Sequence, residues 1–463
     1  MAAAVLAVAT VAPSPRADAA TGSTVASYLS AISGLRTVAG VHNKEPLTRP
    51  TAYTDQARAM SGRTPGLWGG DFSFGGDATS GVDADRSVLV DAARSQWQAG
   101  SLVTLMWHMC PPTGPAACDW DSGVKGHLTD DQWTALTTDG TALNATWRSR
   151  MDAVVPYLRM LRDSGVEVLW RPDHELNDNW AWWGGRPGLY GSQALYRMTH
   201  DYLTGKGLTN LVWVWSVKDV DTAAFADYYP GDAYVDVAGL DSWMQAFPSD
   251  DTYARMLAVA HGKPVALTEV SRAPTPYQLS RQPRWSYFMI WSEYLTDPAY
   301  NTPAGVTQTL AARRVLTQGE IRLASPPASP VTDVTNAALG RPAYASSVDA
   351  AGREPDRAVD GDGTTRWSSA YADQQWIYTD LGQDMPLTSV RLTWETAFAK
   401  QYQVQVSDDQ QTWTTVFEDD HGDGGVDTIA LAGRRARYVK VYAWSRGTPW
   451  GYSLWELSAS VTA

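Results

Sequence analysis

The chain has 463 residues, 44% of them apolar, and a formal net charge of −13. That length calls for more than one ordinary domain with full cores, and the charge excludes the basic stripe that binds nucleic acid by counterion release. The aromatic set is skewed, with 22 Trp and 21 Tyr against 7 Phe, toward rings that carry a polar handle and suit ligands with apolar faces and hydroxyls, as sugars have. Core packing is the competing use of the same rings.

In chain order, Met1 to Ala12 is an apolar run without a charge, followed by the small-residue pattern Ala17-Asp18-Ala19. A run this short does not span a bilayer, so residues 1–19 read as a secretory signal peptide and the protein as secreted, with no membrane partner. The basic opening of such a signal is missing, and a disordered Ala-rich tail is the other reading. From about residue 37 to 291, short apolar runs alternate with longer segments of helical periodicity, the pattern of βα units. Strands are predicted near Thr37–Val41, Gly66–Gly70, Leu102–Met106, Glu167–Trp170, Leu211–Trp215, Val235–Leu240, Pro264–Thr268 and Tyr287–Trp291, with helices such as Ala145–Ser164 and Leu195–Gly205 between them. Eight such strands close a (β/α)8 barrel over 20–323, an α/β fold whose usual length is about 250 residues. Cys110 and Cys118 sit in a Pro/Gly-rich loop and, in an exported protein, pair as a local disulfide. A free buried pair is the alternative.

Residues 324–330, Ala-Ser-Pro-Pro-Ala-Ser-Pro, read as a linker stiffened by proline. Beyond it the pattern changes to short period-two alternation, as in Tyr402–Val406 and Tyr438–Tyr442, with Gly/Asp turns between. This predicts an antiparallel β-sandwich over 331–463.

Chemistry on a (β/α)8 barrel collects at the C-terminal ends of its strands. The third strand ends in Trp107-His108-Met109, the fourth in Arg171-Pro172-Asp173-His174-Glu175 and the seventh in Leu267-Thr268-Glu269. Glycosidic cleavage needs one carboxyl to protonate the leaving oxygen and a second to attack the anomeric carbon or activate water, with aromatic platforms for the sugar rings. Glu175 and Glu269 are the candidate pair. Either one alone reads equally well as a salt-bridged barrel carboxylate. Trp120, Trp182, Trp183 and Trp291 are platforms or barrel-mouth packing, and Leu67-Trp68-Gly69-Gly70-Asp71 reads as close backbone packing near the site.

The pattern Arg-Pro-x-His-Glu-x-Asn…Trp…Trp-Trp-Gly over 171–184, paired with Pro-Val-Ala-Leu-Thr-Glu at 264–269 and His-Met at 108–109, resembles glycoside hydrolase family 26, best known for endo-β-1,4-mannanases. The resemblance covers roughly residues 38–300. It implies Glu175 as general acid/base, Glu269 as nucleophile of a retaining double displacement, and His108 and Trp180 in subsites flanking the scissile bond. Arg171 would lie beneath Glu269 and keep it ionised, and His174 would orient its neighbours. On the sixth strand the family pattern Asp-x-Tyr is replaced by Asp241-Ser242-Trp243, and an indole N–H donates but cannot accept. Arg171, His174, Asp241, Trp243, Trp120 and Trp291 complete the expected substrate-binding set. The resemblance implies no catalytic cofactor. β-1,3-Xylan and mixed-linkage β-glucan are the alternative substrates, and a non-catalytic glycan-binding protein the alternative class.

The second domain resembles the discoidin (F5/8 type C) sandwich, which in bacterial glycosidases is carbohydrate-binding module family 32. The resemblance rests on Arg357–Trp367, Tyr402–Ser407, Ala436–Val441 and Gly451–Glu456. It implies a structural calcium held by Asp360, Asp362, Thr365 and Glu456 with the Arg357 carbonyl, an Asx-type turn without metal being the other reading. Trp450 and Tyr371 are the candidate glycan-stacking residues. A polysaccharide is the expected partner, and the protein is expected to be a monomer.

Overall fold

A computed structural model describes residues 24–44, 49–72 and 82–463; the predicted signal peptide lies outside the described residues. Eight parallel strands form the first sheet: β1 (Thr37–His42), β2 (Leu67–Asp71), β3 (Leu102–Met106), β4 (Val168–Arg171), β5 (Leu211–Lys218), β6 (Val237–Ser242), β7 (Val265–Val270) and β8 (Trp285–Ile290). They pair in sequence order, and β1 bonds to both β2 and β8, so the sheet closes into a barrel. A short β9 (Val315–Leu316) pairs in parallel with the start of β1, at Thr37 and Val38. Every residue of β1–β8 except Lys218 is buried, as expected of parallel strands covered on both faces. The boundaries differ from the sequence expectation by at most three residues at either end, and β3 coincides with it at both ends. Glu167, expected to open the fourth strand, instead caps the helix Thr24–Ile32 by accepting from the backbone N–H groups of Thr24 and Val25 at 3.0 Å each, a favourable place for a carboxylate.

Several helices start at side-chain caps. Thr141 accepts from Asn144 N–H to open Ala142–Asp163, and Thr129 with Gln132 forms a reciprocal capping box for Asp130–Thr137, which satisfies donors otherwise orphaned at a helix start. Much of the unusual tryptophan content is core, since Trp68, Trp147, Trp170, Trp215 and Trp285 are fully buried.

The second domain is antiparallel, with strands β10 (Val334–Asn336), β11 (Ala343–Ala345), β12 (Trp367–Ser368), β13 (Gln375–Trp394), β14 (Ala399–Ser407), β15 (Thr414–Asp419), β16 (Val426–Arg446) and β17 (Ser453–Thr462). The main path runs β10-β17-β13-β16-β14-β15. The long strands β13 and β16 pair with register shifts between Asp380 and Met385 and between Leu387 and Ser389, and such irregularities let one strand serve both layers of a sandwich. Ile377, Leu392, Val404, Val441 and Leu454 fill the space between them. Residues 324–330 carry no helix or strand, but the chain around them is tied to the barrel. Arg36 donates to the Ser329 carbonyl at 2.7 Å, Asp333 accepts from the N–H groups of Arg313 and Arg314, and Gln308 and Asn336 exchange two hydrogen bonds. Tyr277 of the barrel packs into the sandwich core.

Candidate active site

At the C-terminal mouth of the barrel lies a cleft of about 640 Å³, into which His108, Trp120, His174, Glu175, Trp180, Trp243, Glu269 and Trp291 all project. The loop after β4 is unusual in its backbone. Asp173 and Glu175 have φ of 47° and 53°, a left-handed conformation that costs non-glycine residues energy and persists only where surroundings enforce it. Here Trp183 donates its indole N–H to the His174 carbonyl at 2.7 Å, Asp178 N–H returns to the Glu175 carbonyl, and the chain passes so close to itself that a Cβ on Gly184 would stand 2.1 Å from the Asp178 oxygen. The loop therefore presents Glu175 in a fixed direction.

Glu175 accepts from the Trp180 indole N–H, and Lys218 at the end of β5 stands 3.3 Å from the same carboxylate oxygen. Burial, with the Asp241 carboxylate nearby, pushes the Glu175 pKa up to about 7, a value suited to an acid that works near neutrality. Across the mouth, Glu269 pairs with Arg171, which also holds Asp241 at 2.7 Å. One oxygen each from Glu175, Asp241 and Glu269 falls within 4.8 Å of the others. The expectation that Arg171 keeps Glu269 ionised is corrected in its balance: the guanidinium beneath Glu269 does lower its pKa, but burial and Asp241 raise it by more. Arg171 and Asp241 are corrected in place as well. They are 1% and 0% exposed, and Asp241 is further engaged by Thr268 at 2.5 Å, so they form a buried ionic floor rather than a sugar-contacting surface.

His108 bonds through Nδ1 to Asp71 of β2 and meets His174 edge-on at 4.6 Å. Burial keeps His174 well below the ordinary histidine range and so neutral. Trp120 and Trp180 stand 4.8 Å apart beside His108. Trp291 lies flat on His42, with ring centres 4.2 Å apart and planes 5° from parallel, and Trp243 meets it at 6.3 Å to make a second aromatic wall. Trp182 and Trp183, open to either role in the sequence, are buried and spend their N–H groups on backbone carbonyls; they are packing. Asp71, Lys218, Lys44 and Tyr294 also line the cleft and were not singled out from sequence. Asp71 ends the Gly-rich run read as backbone packing, and a strand-end position was its only signal. Cys110 and Cys118 form a disulfide in the loop after β3.

In the sandwich, the predicted metal ligands gather around one turn. Thr365 Oγ1 is 2.7 Å from Asp360 Oδ2, 3.4 Å from the Arg357 carbonyl and 3.1 Å from the Asp362 carbonyl, while the Asp362 carboxylate turns to Thr364. Glu456 Oε1 is buried without a hydrogen-bond partner, and burial beside Asp360 and Asp362 pushes its pKa to about 7. A buried orphan oxygen facing an oxygen-rich turn fits a hard cation. A separate hollow of about 360 Å³ is lined by Tyr371, Trp450, Asp349, Glu395 and Arg366. Tyr371 and Trp450 are 56% and 55% exposed and meet edge to face at 5.7 Å.

A closed parallel barrel with facing glutamates and aromatic walls at its C-terminal mouth, joined to an antiparallel sandwich, defines a glycoside hydrolase with an appended module. Residues 13–320 match Glycosyl hydrolase family 26 and residues 342–457 match the F5/8 type C domain; the chain belongs to glycosyl hydrolase family 26. It is 30% identical over 318 residues to a mannan endo-1,4-beta-mannosidase of Thermothelomyces thermophilus, the match spanning 66% of this chain and 62% of that protein. It is 29% identical over 264 residues to a mannan endo-1,4-beta-mannosidase of Bacillus subtilis, spanning 52% of this chain and 70% of that one. Among solved structures it is similar to GH26A from Muricauda sp. MAR_2010_75, with 32% identity, a TM-score of 0.60, and coverage of 64% of this chain and 96% of that one. The chain thus spans less than two thirds of the length of the Thermothelomyces relative.

Proposed function

We propose that the protein is a secreted, retaining endo-β-1,4-mannanase. The observation that carries this reading is the approach of Glu175 and Glu269 across the barrel mouth, within 4.8 Å. That is near the separation of about 5–5.5 Å used when the second carboxylate attacks directly, and short of the 6.5–9.5 Å that leaves room for a water. Glu269 contacts a guanidinium that cannot lose its charge, whereas Glu175 has an indole N–H and a lysine shared with Asp178. Between the two, the proton therefore resides on Glu175.

In the first step Glu269 attacks the anomeric carbon while Glu175 protonates the departing oxygen. In the second, Glu175 takes a proton from water as the water displaces Glu269. Trp120, Trp180, Trp243 and Trp291 supply rings for the sugars on either side. Mannan is supported by the names of the two curated relatives. Trp243, in place of the expected tyrosine, favours keeping β-1,3-xylan and mixed-linkage glucan as the second reading.

The sandwich serves as a glycan-binding module through Trp450 and Tyr371, with calcium held at Asp360, Asp362, Thr365, Glu456 and the Arg357 carbonyl. The bound ion would lend charge that fixes this turn against β17. Secretion is supported by residues 1–19 and by the disulfide. No helix among the described residues is long and apolar enough to cross a membrane.

The test is incubation with galactomannan, glucomannan, β-1,3-xylan and mixed-linkage glucan, with product length resolved and anomeric configuration followed by NMR. Short manno-oligosaccharides released with the β-configuration are expected. Products from another polymer move the subsite assignment, and α-products overturn the retaining mechanism.

A further inference from the structure

We propose that Lys218 is a positioning residue that serves as counter-ion for the charge glycosylation transfers from Glu269 to Glu175. The inference rests on the assignment of Glu175 as acid and Glu269 as nucleophile. In that step a Glu269 oxygen forms a bond to the anomeric carbon, the glycosidic C–O bond breaks with its electron pair going to the leaving oxygen, and that oxygen takes the proton of Glu175. Glu269 begins as an anion and ends as a neutral ester; Glu175 begins neutral and ends as an anion. One negative charge has crossed the cleft inside a buried site, where an uncompensated ion is costly.

The two ends of that transfer each have one cation. Arg171 from β4 contacts Glu269 and Asp241, and Lys218 from β5 stands 3.3 Å from Glu175 and 2.8 Å from Asp178. The placement of Lys218 is built rather than incidental. Asn177, which lies between Glu175 and Asp178 on the loop after β4, donates to the Lys218 carbonyl at 2.8 Å and accepts from the Lys218 N–H at 2.7 Å. The loop that carries the acid thus grips the backbone of its counter-ion. The Lys218 side chain is 17% exposed, so solvent screens the contact weakly.

Of the other charged groups that line the cleft, Lys44 pairs with Glu293 and Lys125 with Asp121. Asp241 of β6 and Glu269 of β7 are acidic neighbours, Asp178 is a third on its own loop, and Arg171 is already committed to Asp241 and Glu269. His174 is neutral, and the His108 ring is directed to Asp71. Among the described residues, Lys218 is the cation in direct contact with the acid.

The experiment compares the full-length protein with K218M, K218R and D178N, measuring kcat/KM against pH on an unactivated manno-oligosaccharide and on an aryl mannoside with a good leaving group. Without the ammonium the Glu175 proton is held more tightly, so in K218M the basic limb on the oligosaccharide moves up by about one pH unit and the plateau falls about tenfold or more. The aryl substrate, whose departure needs little protonation, loses about twofold or less. D178N removes an acidic neighbour and frees Lys218 for Glu175, so its limb moves down. K218R restores the limb toward that of the parent. Loss on both substrates alike, with the basic limb of K218M unmoved, overturns the counter-ion role and leaves Lys218 a structural tie. E175A run in parallel separates the premise: equal losses on both substrates there overturn the acid assignment itself.

Discussion

The barrel mouth and the sandwich turn both gather buried carboxylates, but they neutralise them differently. At the mouth, Glu269 and Asp241 share the fixed guanidinium of Arg171, and Glu175 faces Lys218. At the turn, Glu456 is left with a buried oxygen that no protein group satisfies, and its raised pKa arises from burial beside Asp360 and Asp362. A site that must cycle a proton keeps its cations covalently attached, where they remain at every stage of turnover. A site that only fixes a turn can take its cation from solution. Disturbing the first should change rates, and disturbing the second should change stability and its dependence on pH.

The largest effect expected is at the mouth. Glu269→Ala removes the proposed nucleophile while leaving Trp120, Trp180 and Trp291 in place, so kcat should fall about 10⁴-fold or more with polysaccharide binding retained, and azide should restore turnover with inverted product. An active variant without azide sinks the assignment. Glu175→Ala should cost about 10²–10⁴-fold on substrates with poor leaving groups and far less on activated aryl glycosides. Parallel assays of the two substrates check the split.

A smaller effect is expected at the other end of the molecule. Trp450 is half exposed and braced edge-on by Tyr371, so Trp450→Ala should weaken attachment to insoluble polysaccharide by about tenfold, the order of one aromatic contact. Turnover of short oligosaccharides should not change. This substitution is a cleaner probe than removal of residues 331–463, because truncation would also strip Asp333 from the Arg313 and Arg314 amides and uncover Tyr277. Altered turnover of short substrates by Trp450→Ala would show that the two regions are not functionally separate.

The barrel was legible in the sequence because strands buried on both faces read as unbroken apolar runs, and their polar C-terminal ends stand out against them. Glu175 and Glu269 were found that way. Lys218 and Asp71 were harder, since each becomes a site residue only when a neighbouring strand brings His108 or Glu175 to it. Tryptophans were ambiguous for a physical reason: Trp180 and Trp183 are three positions apart in one loop, yet one indole N–H reaches Glu175 and the other a backbone carbonyl. Spacing does not encode which way the ring turns. The net electrostatics of Glu269 were not legible, because a pairwise view sees Arg171, which does lower its pKa, and not burial or Asp241, which raise it by more.

The turn at Glu456 gives the sharpest test of the comparison, although the effect is the smallest. With its pKa raised to about 7 in the folded domain, Glu456 prefers to be protonated there, so its contribution favours folding below the ordinary carboxylate range and is lost as pH rises through about 7. A bound calcium would take the place of that proton. Its binding should therefore be weak near about pH 5 and strong near about pH 8, and the melting temperature of the full-length protein should rise on adding calcium by about 4 °C or more at the higher pH but little at the lower. Glu456→Gln removes the charge that both the proton and the cation would answer, so it should abolish the calcium increment and flatten the pH dependence, while the pH profile of catalysis, assigned by the proposal to Glu175 and Lys218 at the barrel mouth, should stay where it was. Equal calcium increments at both pH values would mean that the cation is held by the Asp360 turn without Glu456.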